Sequence, residues 1–367
     1  MDTDGGHDVE EQLAETAPTP GPRDAGRADS ATARRSTTIY DIARAADVSH
    51  QSVSRYMRGL DMRASTKAKI EKALETLSYR PNLSARALIT GRSHRIGALT
   101  HEVNQYGPGL IIQGATTAAR EAGYLLDVIA LDMADPDELD QALGQLLQYD
   151  LDGILAFAST DSVKAVFEQM DFGVPALIAA EEEDFQVESS FDRPGVGQLV
   201  SHLVGLGHKR LLHIAGPEVY SAARNRRRAF EAALSRFGLE AAGTAQGDWS
   251  ARSGYEAVMA LPLESLPTAI VAGNDQMALG AIHALAERGL HVPGDVSVTG
   301  VDDTPESAYF TPALTTVRLD FRVQGKNALV SLLNEIGEGA DRPSFLPPPT
   351  LVMRDSTGPV GGRGAPR

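Results

Sequence analysis

Between residues 49 and 58, His50, Gln51, Ser54, Arg55 and Arg58 fall on one helical face, opposite Val53 and Met57 at i, i+4 spacing. These side chains can read nucleic acid. Gln can bond adenine bidentately and Arg can bond guanine bidentately, and a recognition helix carries such groups near its N-terminus in the major groove. His50, Gln51 and Arg55 are therefore candidate base readers; the plainer reading is a solvated helix face. Elsewhere the chemistry is sparse. The chain has no Gly-x-Ser-x-Gly, Walker or His-Glu-x-x-His motif, and Gly195-Val196-Gly197 lacks the third glycine of a dinucleotide fingerprint. No enzyme activity or cofactor is expected. Nine scattered histidines offer no i, i+4 pair beside carboxylates, and Glu181-Glu182-Glu183-Asp184 reads as a solvated acidic loop, so no metal is expected.

The elements that must position the basic face are short helices. Thr38-Ile39-Tyr40-Asp41 is a capping-box pattern with Asp41 in place of the usual Glu, and Ile42, Ala43 and Ala46 follow on one face. Asp47 suits a left-handed corner, and Ser49 is a good N-cap for the second helix. The two helices meet at a tight turn. A third helix around residues 66–77 presents Ile70, Leu74 and Leu77 at core spacing. Tyr79-Arg80-Pro81-Asn82 ends it and starts Leu83-Ser84-Ala85-Arg86-Ala87-Leu88, a segment too short to be stable alone. Its natural supports are a second copy of itself and a minor groove into which Leu88 can wedge; the alternative is a plain linker.

A net charge of −15 argues against nucleic acid until its distribution is traced. Residues 37–94 carry 10 basic and 5 acidic residues, whereas residues 95–367 carry 20 and 36. A basic module on an acidic body can hold phosphates at one end while the other end is repelled. Residues 1–36, rich in Asp, Glu, Pro, Gly, Ala and Thr without apolar periodicity, read as a disordered tail. Zero cysteines excludes disulfides and thiolate sites. No apolar run reaches about 18 residues, and the acidic N-terminus lacks the pattern of a signal peptide, so a cytoplasmic location with no membrane partner is expected.

After Arg95, short apolar runs alternate with amphipathic stretches: 96–99, 125–131, 153–157, 176–179, 211–215, 269–272 and 296–301. Such alternation signals parallel α/β layers, and about 260 residues suggest two lobes.

The chain resembles the lactose-repressor (LacI) family of bacterial regulators over about residues 37–357. The likeness rests on Thr38-Ile39-Tyr40-Asp41-Ile42-Ala43, Val48-Ser49-His50-Gln51-Ser52-Val53-Ser54-Arg55 and Tyr79-Arg80-Pro81-Asn82. It continues in Leu206-Gly207-His208-Lys209-Arg210, Gly247-Asp248-Trp249-Ser250, Asn274-Asp275-Gln276-Met277-Ala278-Leu279-Gly280 and Val301-Asp302-Asp303-Thr304. The resemblance implies an all-α helix-turn-helix domain at 37–81, a hinge helix and linker at 82–94, and a two-lobed periplasmic-binding-protein-like α/β domain with parallel sheets at 95–357. Lobe 1 is expected at about 95–191 and 320–347, lobe 2 at about 192–319 and 348–357, with a flexible tail at 358–367.

The resemblance further implies a sequence-specific repressor whose partners are double-stranded operator DNA, a small sugar and a second copy of the chain. DNA contacts carry over to Thr38, Tyr40, Ser49, His50, Gln51, Ser54, Arg55, Arg58, Tyr79, Asn82, Ala85 and Leu88. Arg226, Asn274 and Asp302 match polar ligand contacts; Trp249 matches a ring laid against the sugar, with Phe191 and Phe321 as flanking walls and Pro108 beside them. Arg donates, Asp accepts and Asn does both, which suits a ring of hydroxyls. The plainer readings are core packing for Trp249 and an Asx turn before Thr304 for Asp302. The pattern departs from the family in places. An acid that helps hold the sugar falls near Ala180-Glu181, so Glu181 substitutes or the contact is missing. His50 and Asp47 differ from residues usual there, and no leucine-heptad helix follows Val352-Met353-Arg354, so a dimer is expected. A galactoside- or glucoside-like ligand is the reading, a nucleobase-like corepressor the alternative; a solute-binding protein would not carry the helix-turn-helix.

Overall fold

The structure, a computed structural model, describes residues 37–58, 60–77, 92–101, 103–131, 137–157, 160–179, 195–339 and 342–361. The tail at 1–36 and the hinge segment Leu83–Leu88 lie outside the described residues. The chain divides between Asn82 and Leu83 into two units.

In the first unit, α1 (Ile39–Ala46) begins at a reciprocal capping box: Thr38 Oγ1 accepts from the Asp41 N–H, and the Asp41 carboxylate accepts from the Thr38 N–H at 2.9 Å. Asp47 ends the helix in a left-handed conformation (φ 51°, ψ 54°), as expected of a short polar side chain at a corner. Ser49 Oγ accepts from the Ser52 N–H at 3.2 Å and starts α2 (His50–Met57). The third helix, α3 (Ala64–Thr76), starts two residues ahead of its expected Thr66, because Arg63 caps it without a side-chain bond and leaves no sequence signal. Ile42, Ala43, Ala46, Val53, Ile70 and Ala73 form the core, with Met57, Leu74 and Leu77 partly buried against it. On α3, Ile70 and Ala73 are the buried members of this core, while Leu74 and Leu77 sit partly buried at its edge.

The second unit holds two four-stranded parallel sheets. Sheet 1 runs β2-β1-β3-β4, from β1 (Arg95–His101), β2 (Leu125–Leu131), β3 (Gly153–Ala156) and β4 (Ala176–Ile178). Sheet 2 runs β6-β5-β7-β8, from β5 (Leu211–Ala215), β6 (Gly243–Gln246), β7 (Ala269–Ala272) and β8 (Ser297–Thr299). Helices cover both faces of each sheet, which is why the central strands read as unbroken apolar runs. On β1, Ile96 and Ala98 pack with α4 (Tyr106–Glu121), while Leu99 packs with α5 (Glu138–Leu146) and α6 (Asp161–Gln169). On sheet 2, Leu211, Ala269 and Val271 face α7 (Val196–Gly205) and α8 (Ser221–Arg236). Leu212, Ile214, Ile270 and Ala272 face the other way, toward α9 (Ala251–Met259) and α10 (Asp275–Glu287).

The chain then crosses back. Strand β9 (Thr316–Arg318) pairs antiparallel with β10 (Thr350–Val352), and Val317 packs with sheet 2. Directly after it, α11 (Phe321–Ile336) lays Leu329, Leu332 and Leu333 on sheet 1. It lies close to α4 because Gly114 and Gly325 each face the other helix's backbone; a Cβ at either would collide with Arg322 or Ile111. All seven apolar runs form strands. The runs did not mark β6, β9 and β10, since a Gly-Thr-Ala-Gln edge strand and two three-residue strands contain no apolar block.

Candidate DNA-reading face and ligand cleft

On the first unit, Thr38, Tyr40, Ser49, His50, Gln51, Arg55 and Arg58 are exposed and Ser54 is half-buried. Tyr40, from α1, sets its ring 5.6 Å from that of His50, so the two helices meet in an exposed aromatic pair. Arg55 donates through Nη2 to the Asp61 carbonyl at 2.9 Å, which steadies its guanidinium on the turn after α2. Arg58 leans back on the Ser54 carbonyl. Tyr79, Asn82, Ala85 and Leu88 lie outside the described residues.

In the second unit, the ligand candidates follow the C-terminal ends of the parallel strands, where open α/β sheets place their binding crevices. Trp249 follows β6, Asn274 follows β7 and Asp302 follows β8, while Arg226 lies on α8 after β5. The structure brings these four together. Arg226 donates through Nη1 to the Gly273 carbonyl at 2.6 Å and through Nη2 to Asp302 Oδ1 at 3.3 Å, and its guanidinium carbon lies 5.4 Å from the Trp249 ring centroid. Asn274 donates to the Trp249 carbonyl at 2.9 Å and accepts from the Met277 N–H at 2.9 Å, capping α10. Its second amide hydrogen goes to Gln276. One of its bonds thus anchors the loop that carries Trp249 and two serve the start of its own helix.

Trp249 is 8 % exposed, packs in the sheet 2 core and presses on Gly216, where a Cβ would enter the ring; core packing takes up most of the indole. For Asp302, the Thr304 N–H that an Asx turn would use donates instead to Asp275, and the Asp302 carboxylate pairs with Arg226. Asp302 (φ 112°) and Asp303 (φ 54°) both occupy the positive-φ region, held there by the Asp302 N–H bond to the Val317 carbonyl and by Arg318 and Arg354 on the Asp303 carboxylate.

On the sheet 1 side, Phe321 is buried edge-on to Tyr106 (6.2 Å) and against Gly107; Pro108 is the next residue of α4. Tyr106, Asp302, Asp303, Arg318 and Phe321 share a cavity of about 230 Å³. Glu181 and Phe191 lie outside the described residues.

Three further residues stand at these strand ends. Asp275, fully buried, accepts from the Thr304 N–H, Ser307 Oγ and Thr316 Oγ1, and its burial pushes its pKa up to about 6. His101, the last residue of β1, stacks on Tyr220 just before α8. The rule that strand C-termini carry sites could have singled them out in the sequence. Among the described residues no three His, Asp or Glu side chains group as a metal site, and no helix is long and apolar enough to cross a membrane.

Residues 38–82 match the family model described as bacterial regulatory proteins, lacI family, and residues 200–357 match a periplasmic binding protein-like domain. The lactose operon repressor of Escherichia coli (strain K12) is 34% identical over 325 residues, covering 87% of this chain and 90% of that one. A second relative, the HTH-type transcriptional repressor PurR of Haemophilus influenzae, is 30% identical over 334 residues, covering 87% of this chain and 98% of that one. Among solved structures, the Lac repressor dimer bound to operator and the anti-inducer ONPF superposes with a TM-score of 0.75 at 31% identity, covering 88% of this chain and all of that one. With the likeness running through both units, the chain belongs to the LacI family, as a DNA-binding transcriptional repressor with a periplasmic-binding-protein-like ligand-binding domain.

Proposed function

We propose that this repressor binds its operator as a homodimer in the cytoplasm and releases or grips it according to a small sugar, galactoside- or glucoside-like, held at the strand ends of the second unit. The observation that carries the sugar is the Arg226–Asp302 pair set against the Trp249 ring: a charged fork and carboxylate for hydroxyls, beside an aromatic wall. His50, Gln51 and Arg55 read bases while Thr38, Tyr40, Ser49, Ser54 and Arg58 contact backbone and groove, with Tyr79, Asn82, Ala85 and Leu88 extending the contact. Arg226, Asn274 and Asp302 bond the ligand's hydroxyls with Trp249 as the stacking surface, Glu181 substitutes for the family's further acid, and Pro108, Phe191 and Phe321 flank the site. The relatives named above are transcriptional regulators, which supports the absence of catalysis.

A nucleobase corepressor is the second reading, favoured by the likeness to PurR. A thermal-shift screen of sugars and nucleobases against the full chain separates the two. A ligand at a hundred times its dissociation constant stabilises the protein by about 2.7 kcal/mol. A response to a nucleobase and to no mono- or disaccharide replaces the sugar reading. For DNA, Arg55→Ala is expected to relax preference at one base pair by roughly 1–3 kcal/mol across single-base variants of a selected site. Unchanged preference rules Arg55 out as a base reader.

A further inference from the structure

The two sheets of the second unit touch through side chains that the ligand reading does not use. His101 closes β1 in sheet 1, and Tyr220 lies between β5 of sheet 2 and α8. Their rings stack with centroids 4.4 Å apart and planes 23° from parallel. Tyr220 is 4 % exposed. Beside this stack, Thr160 pairs its backbone with Tyr220 in an isolated antiparallel bridge, and Asp161, the first residue of α6, accepts from Arg224 of α8 at 2.8 Å. One short stretch of chain, Tyr220 to Arg224, is therefore held from the sheet 1 side by a ring stack, a backbone pairing and an ion pair.

We propose that His101 and Tyr220 form a latch, built wholly from the chain's own side chains, that holds the two lobes together at the ligand cleft and sets how strongly the closed arrangement is favoured. The ion pair alone would contribute little, since Asp161 is largely exposed. The ring stack is different, because Tyr220 is buried and His101 is largely shielded from water, and offset or stacked aromatic pairs add attraction beyond their burial. Burial also keeps the imidazole neutral, pushing its pKa down to about 4, so the stack carries no charge that solvent would draw out. The latch bears on the ligand site through α8. Arg226 lies six residues beyond Tyr220 on that helix and holds Asp302, so any swing of the helix start away from His101 moves the ligand's cationic contact with it. A pre-set closure bias also sets apparent ligand affinity, since a ligand that favours one closure state is penalised by the fraction of molecules outside it.

That last link rests on the proposed ligand reading; the latch itself does not, and the two are tested apart. The chain has no cysteine, so spin labels can be placed cleanly in the full-length protein at Glu168→Cys on α6 and Ser235→Cys on α8, both exposed. Pulsed dipolar spectroscopy then reads the distance across the lobes. Tyr220→Leu and His101→Leu keep apolar bulk and fold but lose the stack, so their distance distributions are expected to broaden and move to longer values, with the closure equilibrium shifted on the order of tenfold, the weight of one buried aromatic pair. Tyr220→Phe keeps the ring and the short, narrow distribution. If both Leu variants keep the parent distribution, with thermal unfolding showing them folded, the latch is overturned. If they open the lobes while no sugar or nucleobase alters operator binding of the parent protein, the latch stands and the ligand reading fails.

Discussion

Arg226 and Asp302 meet at 3.3 Å with only 12 % and 7 % of their side chains exposed, and so tie α8 to the loop after β8. Removing one member of such a pair leaves the other charge buried without its counterpart.

Asp302→Ala is therefore expected to cost about 3 kcal/mol in urea unfolding, toward the lower end for broken buried pairs because Arg226 keeps its bond to the Gly273 carbonyl. Asp302→Asn, which retains an acceptor but no charge, should cost less. A loss below about 1 kcal/mol in the alanine variant would show that Arg226 turns out to solvent. In calorimetry, the folded Asp302→Asn protein should bind the effector found by the screen more weakly than the parent.

Gly216→Ala places a methyl group inside the Trp249 ring. Overpacking of this kind costs typically 1–3 kcal/mol. Because Trp249 is the sole tryptophan, its emission reports that site alone, and the variant should show a shifted emission maximum together with the lower stability. Unchanged emission and stability would mean that the indole does not rest on Gly216.

Asn274→Asp keeps an acceptor for the Met277 N–H but loses the donor to the Trp249 carbonyl. The helix cap should survive, whereas the Trp249 loop should loosen and exchange its amide hydrogens faster. Asn274→Ala removes both, at about 1 kcal/mol for the cap alone. Exchange in the Trp249 loop of Asn274→Asp as slow as in the parent would assign the stabilisation to the cap and none to the loop.

Acid stability should reflect opposing titrations. His213 lies deep in sheet 2 with its pKa pushed from 6.5 down to about 4 by burial, and His101 behaves alike. For both, the unfolded chain binds more protons between those values, so stability is full above pH 6.5 and is lost as pH falls through about 4. Asp275 has the reverse sign: raised from 3.8 to about 6, its contribution is present below pH 3.8 and lost as pH rises through about 6. Two histidines outweigh one aspartate, so melting temperature should drop from pH 7 to pH 4.5. Asp275→Asn, which removes the opposing group, should steepen that drop. A shallower drop in the variant would reverse the assigned sign.

The sequence by itself determined what depends on local order. The Thr38–Asp41 box, the Asp47 corner, the Ser49 cap and the seven apolar strands are settled by residues within four positions of one another, or by runs that only a two-sided burial explains. The basic face of α2 was legible for the same reason, since helical periodicity alone aligns His50, Gln51 and Arg55. Family resemblance named Arg226, Trp249, Asn274 and Asp302, but what each side chain is bonded to was decided by tertiary structure. Asn274 spends its amide on a carbonyl 25 residues away, Thr304 takes its partner from Asp275 rather than from its neighbour Asp302, and His101 meets a tyrosine 119 positions on. Such partners are chosen by which strand ends lie side by side, and strand order in a parallel sheet follows from packing of the whole layer, not from any one stretch of chain.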